Sequence, residues 1–424
     1  MPDNRIIVNQ QKDSTLVYNM NNQLLSTFWK FKDSCIQNAE GGVIGVCLDP
    51  NYVVNKYVYI YYIHNAGYNL YRIVRFTENN NKGTNPFIIF NDSSGQSGSL
   101  HFGGNMHFGK DGKLYVSIGD NSFTANAQSL STFKGKILRI NSDGTIPTDN
   151  PFYDDGNPKS GNDDRIWVLG VKNVYDFTIS PFNDSIYAGE NGGIQNDEIN
   201  FIKKGLNYGW PVCRGFCVPY NPLYKQPMDT IGGNSGSSYA PTGILIYNGS
   251  QMPELYGKLI TAGAGDGIVR GILKYNLANP PFLDTISSHS VLSSYYPCTC
   301  MKQGSDGFIY ISTYSIPNSV IVKMKYNTVG INSTQTPAVF KLDQNYPNPF
   351  NPETKLRFAL YKTPLVTLKI YDCLGNEVTE LVNREMTEGT HEISWNASEY
   401  SCGVYFCRLT AGELTDEKKL VLLK

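Results

Sequence analysis

Polar turns followed by alternating aromatic or β-branched residues recur along the first three quarters of the chain. The clearest copy is "GKDGKLYVSIGD" at Gly109–Asp120, repeated in outline by "SPFNDSIYAGE" at Ser180–Glu190 and "GSDGFIYISTYS" at Gly304–Ser315. "DPNYVVNKYVYIYYIH" at Asp49–His64 is a looser relative. Asp-Gly supplies the positive-φ positions of a tight hairpin turn, and the alternation behind it predicts a half-buried strand. Hairpins repeated over roughly 320 residues predict radial repetition, a β-propeller spanning 1–325, rather than one closed barrel. The copies are irregularly spaced, so long loops are inserted between them, and in a propeller such loops collect on one face and build the site.

The texture changes near residue 326. "NTVGINSTQTPAVF" is small, polar and interrupted by Pro337, which predicts a linker over 326–339. Short strands follow at "VTLKIYD" and "HEISWN", with a turn at "SCGVYF" and a terminal "KKLVLLK", so 340–424 is expected to be a small β-sandwich. Composition agrees with an all-β chain: 40 Gly and 29 Tyr leave few long helix-forming runs. No window approaches the roughly 18 to 20 apolar residues of a membrane span, so no transmembrane segment is expected. A formal net charge of −1 with no basic stripe argues against nucleic acid as a partner.

Nine cysteines are an odd number, so at least one thiol is free or pairs between chains in an oxidising compartment. Cys213 and Cys217, in "CRGFC", are the best placed to close a small loop. Cys298 and Cys300 alternate in "CTC" and would point the same way on a strand, and Cys47 in "GVCLDP" reads as a small apolar residue. No Ser-His-Asp elbow, phosphate loop or dinucleotide fingerprint is present. A paired-carboxylate hydrolase built on Asp120, Glu190 and Glu198 has no spacing in the sequence that fixes the separation it needs.

The C-terminal segment resembles the type A sorting domain of the bacterial type IX secretion system. The resemblance rests on "NYPNPFNPET", "LKIYDCLGNEV", "EGTHEISWNA", "SCGVYFCRL" and "KKLVLLK", in order from Asn345 to Lys424. It implies export through that machinery to the exterior or the outer-membrane surface of a bacterium. Residues 1–20 lack the basic-then-apolar pattern of a signal peptide, so a leader is expected to have been removed or left unrecorded.

The first 325 residues resemble the soluble, pyrroloquinoline-quinone-dependent aldose dehydrogenases, a six-bladed propeller family related to hedgehog-interacting-protein-like domains. The stretches that carry this are "AEGGVIGVCLDPNY" (39–52), "HFGGNMHFGKDGKLYVSIGD" (101–120), "FKGKILRINSDGTIPTDNPF" (133–152), "RIWVLGVKNVYDFTISP" (165–181) and "NDEINFIKKGLNYGWPVC" (196–213). The resemblance implies oxidation of an aldose at its anomeric carbon. It places the base at the histidine that opens "H-x-G-G", here His101, and histidine titrates near neutrality. Gly103 and Gly104 would then let backbone approach the flat cofactor. His107 falls in the following strand and reads as a core histidine.

Cofactor contacts carried over by the resemblance are Glu40, Asn105, Asp120, Lys172 and Asn173, with Asp120 bracing the loop. Three of these depart from the family pattern: Asn105 and Lys172 stand where arginine is usual, and Glu40 where glutamine is common. Lysine keeps the charge but lacks the planar fork that grips a carboxylate. The stretch before "GSDGFIY" adds only Lys302. The resemblance further implies Ca²⁺ on the quinone, held by the carbonyls of Gly192 and Gly193. A structural Ca²⁺ would be held by Glu198 and the carbonyl of Tyr208, whose ring with Trp210 otherwise reads as a packing cluster. The runs "DNPFYDDGNPKSGNDD" and "MDTIGGNSGSSYAPTG" carry acids without regular ligand spacing; they read as loops shaping a sugar groove with Tyr208, Tyr220 and Tyr239. The thinned cationic lining leaves a second reading open, a non-catalytic propeller that binds a glycan or a surface protein.

Overall fold

A computed structural model of the protein describes all residues except 32–34, 37–39, 94–97, 193–195, 232–237, 266–271, 276, 278–282, 286–297, 315–318, 325–340, 361–364, 388, 412–413 and 424. The chain divides into two compact units, Met1–Tyr326 and Asn327–Lys424. The expected linker lies outside the described residues.

Six small antiparallel sheets make up the first unit. In chain order they are β1–β3 (Arg5–Gln10, Ser14–Asn19, Leu24–Lys30), β4–β7 (Val43–Leu48, Tyr57–Asn65, Asn69–Asn79, Lys82–Asp92) and β8–β11 (Met106–Phe108, Leu114–Ile118, Lys136–Ile140, Ile166–Leu169). The others are β12–β15 (Val174–Ile179, Ile186–Glu190, Asp197–Ile202, Asp229–Ile231), β16–β19 (Pro241–Ile246, Leu259–Gly263, Ile272–Tyr275, Leu283–Thr285) and β20–β22 (Cys298–Gln303, Ile309–Thr313, Ile321–Met324). The first strands of successive sheets adjoin one another, β1 against β4, then β8, β12, β16 and β20. The ring closes where Ser305 Oγ donates to Asn4 Oδ1 at 2.8 Å and the Tyr310 hydroxyl faces Met20 Sδ at 4.0 Å. This is a six-bladed propeller.

Each recurring turn-and-strand copy becomes the first turn and second strand of a blade, namely β5, β9, β13 and β21. The half-buried expectation needs correction for two of them, since β9 and β13 are buried at every position. A blade's central strands are covered on both faces by neighbouring blades, so both sets of alternating side chains meet protein. Aromatic packing fills the wedge between blades: Tyr71 lies 5.8 Å from Phe102 and 5.1 Å from Phe133, ring to ring.

The second unit is a β-sandwich of two sheets, ordered β23-β24-β27 (Lys341–Leu342, Glu353–Leu360, Gly389–Asn396) and β26-β25-β28-β29 (Glu377–Glu385, Leu365–Tyr371, Gly403–Ala411, Leu414–Leu422). Phe350, from the "NPF" motif, is buried in its core 5.4 Å from the Trp395 ring. Its backbone is tied on both sides, with Phe350 N–H donating to Val421 and its carbonyl accepting from Leu423.

Candidate functional site

His101 lies in the connection from β7 to β8, at φ 62°, a left-handed conformation rare outside glycine. Neighbours on every side hold it there. Phe102 is fully buried, its carbonyl accepts from the Tyr61 hydroxyl at 2.8 Å, and Gly103 N–H donates to Asn173 Oδ1 at 3.1 Å. A Cβ at Gly103 would fall on the Ser117 carbonyl, and one at Gly104 on the Tyr175 carbonyl. Close approach of protein strands by itself demands these glycines.

The His101 ring is oriented by Asp120, immediately after β9. Nδ1 lies 2.7 Å from Asp120 Oδ1, and the imidazole is 20% exposed while the carboxylate is wholly buried. Asp120 also accepts from the Trp210 indole N–H at 2.9 Å and from Ser122 N–H at 2.8 Å. A carboxylate receiving those donors is an acceptor toward Nδ1 as well, so Nδ1 carries a proton, and in the neutral imidazole the lone pair sits on Nε2. Trp210 reaches this point because residues after β14 climb beside β11. Gly205 N–H donates to Trp167, Leu169 N–H to Leu206, and a parallel bridge joins Leu169 to Asn207.

Glu40, Lys172 and Asn173 converge on the same place. Glu40 Oε2 accepts from His101 N–H at 2.6 Å and from Asn173 Nδ2 at 3.4 Å. Lys172, between β11 and β12, gives its carbonyl to Asp120 N–H at 2.7 Å and its N–H to Glu190 Oε1 at 2.5 Å. Its ammonium stands 5.3 Å from the Trp210 ring centre, and burial lowers its pKa. Lys134, in "FKGK", adds a second buried cation. Burial brings its pKa down to about 8, against an opposing pull from Asp120. The sequence signal for Lys134 was its place in a family motif, yet nothing local marked it as buried beneath the site.

Carboxylates gather beside this cluster. Glu190 and Glu198 face each other across β13 and β14, and both accept from Asn200 Nδ2, at 3.1 and 2.9 Å. Burial, then the charge of Glu198, holds Glu190 well above the usual carboxylate range; burial raises Glu198 too. Glu198 Oε1 also accepts from Gly215 N–H at 2.7 Å, which ties it to the loop carrying Tyr208 and the Cys213–Cys217 disulfide. Among the described residues, the side-chain oxygens of Asn191 and Asn200 are buried with no hydrogen-bond partner. Orphaned oxygens next to Gly192 and Glu198 suit a hard cation. Gly192 N–H donates to Asp197 Oδ1 at 2.8 Å, whereas Gly193 lies outside the described residues.

Other expected residues are not gathered here. Asn105 turns its amide to Asp176 Oδ1 at 2.8 Å, away from the His101 group. His107 joins the same carboxylate at 3.3 Å, with Lys302 Nζ 3.1 Å from its Nε2. Tyr208 and Tyr239 are buried, their hydroxyls donating to Phe201 and Thr261 carbonyls, so of the tyrosines expected in a groove only Tyr220 is exposed. Packing under the loops claimed those rings. The disulfide forms as expected, and Cys47, Cys298 and Cys300 are free thiols.

Residues 1–321 match the Glucose / Sorbosone dehydrogenase family and residues 344–423 the Secretion system C-terminal sorting domain. An uncharacterised protein of Synechocystis is 31% identical over 296 residues, covering 65% of this chain and 68% of that one. An aldose sugar dehydrogenase of Escherichia coli is 27% identical over 299 residues, covering 65% of this chain and 75% of that one. The structure of the PQQ-bound aldose sugar dehydrogenase of Streptomyces coelicolor superposes with a TM-score of 0.63 at 21% identity, covering 77% of this chain and 92% of that one, and shares its fold. The sorting domain makes this a protein of the cell exterior or outer surface that engages secretion machinery, and no described helix is long and apolar enough to cross a membrane. With its propeller matched almost throughout, the chain belongs to the glucose/sorbosone dehydrogenase family.

Proposed function

We propose that the chain is an aldose dehydrogenase that oxidises a sugar at its anomeric carbon, with His101 as the base. The observation that carries this reading is the His101–Asp120 pair: Nδ1 is held at 2.7 Å, and the partly exposed ring offers Nε2 to a substrate hydroxyl. Taking the hydroxyl proton at Nε2 would make an imidazolium, which the Asp120 carboxylate stabilises, while Trp210 and Ser122 keep that carboxylate from turning. When bound, pyrroloquinoline quinone would supply the electron-poor acceptor for the hydride leaving the anomeric carbon. Lys172 and Asn173 would hold it. Gly192 and Gly193 would offer carbonyls to its Ca²⁺, and Glu198 with the Tyr208 carbonyl would hold a structural Ca²⁺.

One observation favours a second reading, a propeller that binds a glycan or a surface protein without catalysis. Glu40 sits at 2.6 Å from the His101 amide, and Asp120 and Glu190 lie close by, so Lys172 faces several acids. An acid-rich lining opposes an anionic cofactor unless Ca²⁺ offsets it. Reconstitution with Ca²⁺ and the quinone, followed by sugar-dependent reduction of an artificial electron acceptor, separates the two. Turnover that His101→Ala abolishes supports the dehydrogenase. No turnover, with no quinone binding by calorimetry, overturns it.

A further inference from the structure

The connection from β10 to β11 brings together acids that lie ten positions apart in the run "DNPFYDDGNPKSGNDD". Asp154, Asp155 and Asp164 each present a carboxylate oxygen within 4.8 Å of the others. Oxygens sharing one Ca²⁺ at about 2.4 Å stand no more than about 4.8 Å apart. Asn150 staples the base of the loop, its Nδ2 donating to the carbonyls of Arg139 and Asp164, each at 2.9 Å.

A separate observation points to a ligand. Asp164 is completely buried; its Oδ1 accepts from Asp154 N–H at 2.5 Å, but among the described residues Oδ2 has no hydrogen-bond partner. A buried carboxylate oxygen with neither donor nor cation is costly, by several kcal/mol in general. The nearby guanidinium groups are engaged elsewhere, Arg139 with Asp111 and Asp149, and Arg165 with Asp92 and Asp163. Among the described residues no Lys or Arg forms an ion pair with any of the three acids.

We propose that Asp154, Asp155 and Asp164 form a calcium site that fastens the loop between β10 and β11. All the donors are hard oxygens with no His or Cys among them, which selects against zinc. Asp154 and Asp155 are exposed and leave room for water to complete a shell of 6 to 8 oxygens in the flexible geometry Ca²⁺ tolerates, whereas Mg²⁺ demands a near-ideal octahedron at shorter distances. Outside the cell an affinity in the range of about 0.1 to 1 mM suffices. The site stands independently of the proposed dehydrogenase activity.

The test uses the full chain and calcium alone. Calorimetric titration of wild type, the double variant Asp154→Asn/Asp155→Asn, and Glu198→Gln should show the double variant losing one class of site that Glu198→Gln keeps, with affinity there falling at least tenfold. Asp164→Asn gives a second, opposite-signed readout. In EDTA it should melt at or above the wild-type temperature, because an uncompensated buried charge is gone; in calcium, wild type should melt higher. Identical isotherms for wild type and the double variant overturn the site. So does a melting difference for Asp164→Asn that calcium leaves unchanged, or magnesium competing on equal terms with calcium.

Discussion

Two histidines six residues apart each meet an aspartate and stand near a lysine, and the structure puts them to different uses. His101 sits on a loop at positive φ with Nδ1 bound to Asp120 and its ring partly exposed; Lys134 lies buried near that aspartate. His107 sits on β8 with Nε2 shared between Asp176 at 3.3 Å and Lys302 at 3.1 Å, its ring edge-on to Phe177 at 4.8 Å. Burial, then the Lys302 charge, lowers the His107 pKa, although its side chain is 22% exposed, as much as that of His101. A histidine with a partner on one nitrogen only can move a proton through the other. One whose reactive nitrogen is shared inside a sheet serves packing.

Breaking the two histidines in turn gives the largest contrast. In reconstituted enzyme, His101→Ala should lower turnover on the order of 10³-fold, within the usual contribution of a general base, while His107→Asn stays within a few fold of wild type. Equal losses would remove the distinction. The aspartates sharpen it next. Asp120→Asn should cost on the order of 10²-fold in turnover by favouring the wrong imidazole tautomer, with little change in melting. Asp176→Ala should instead cost about 3 kcal/mol of stability, because it strips Asn105, Lys302 and the Phe177 N–H of a shared buried acceptor. Denaturant unfolding and turnover together would show whether the two losses separate.

Outside the two pairs, opening the Cys213–Cys217 loop with a double Cys→Ser variant should cost about 2 kcal/mol, since so short a loop constrains the unfolded chain modestly. An unfolding midpoint unchanged from wild type would show that the bridge contributes nothing. A pH dependence of similar size is expected at Lys134. Its pKa in the fold is about 8, below the roughly 10.4 of an unfolded lysine, so above pH 8 the unfolded chain holds the proton longer. Wild-type stability relative to Lys134→Met should therefore rise between pH 8 and 10. Parallel profiles for the two proteins would place Lys134 outside this account.

Much of the fold was legible in the chain. Turn chemistry and alternation marked the second strands of four blades, and the change of texture near residue 326 marked where the propeller's strands end. The half-buried reading of β9 and β13 failed because alternation is a property of one strand, whereas burial on both faces depends on the neighbouring blades. His101, Asp120, Lys172 and Asn173 were legible as family motifs, and the structure gathers them. Asn105 was not, because its direction depends on Asp176, a residue 71 positions later.

By itself the sequence determined local matters: which runs are strands, where turns need positive φ, which two cysteines lie close enough to bridge, and which motifs place the chain in its family. Those properties depend on residues within a few positions of each other. Tertiary structure alone decided the rest. It swung Trp210 onto Asp120 from 90 positions away, folded Asp164 back onto Asp154 and Asp155, and gave His101 an open nitrogen while closing that of His107. Hydrogen bonds and charges act through distance in space, and in a propeller the neighbours in space are set by how the blades close.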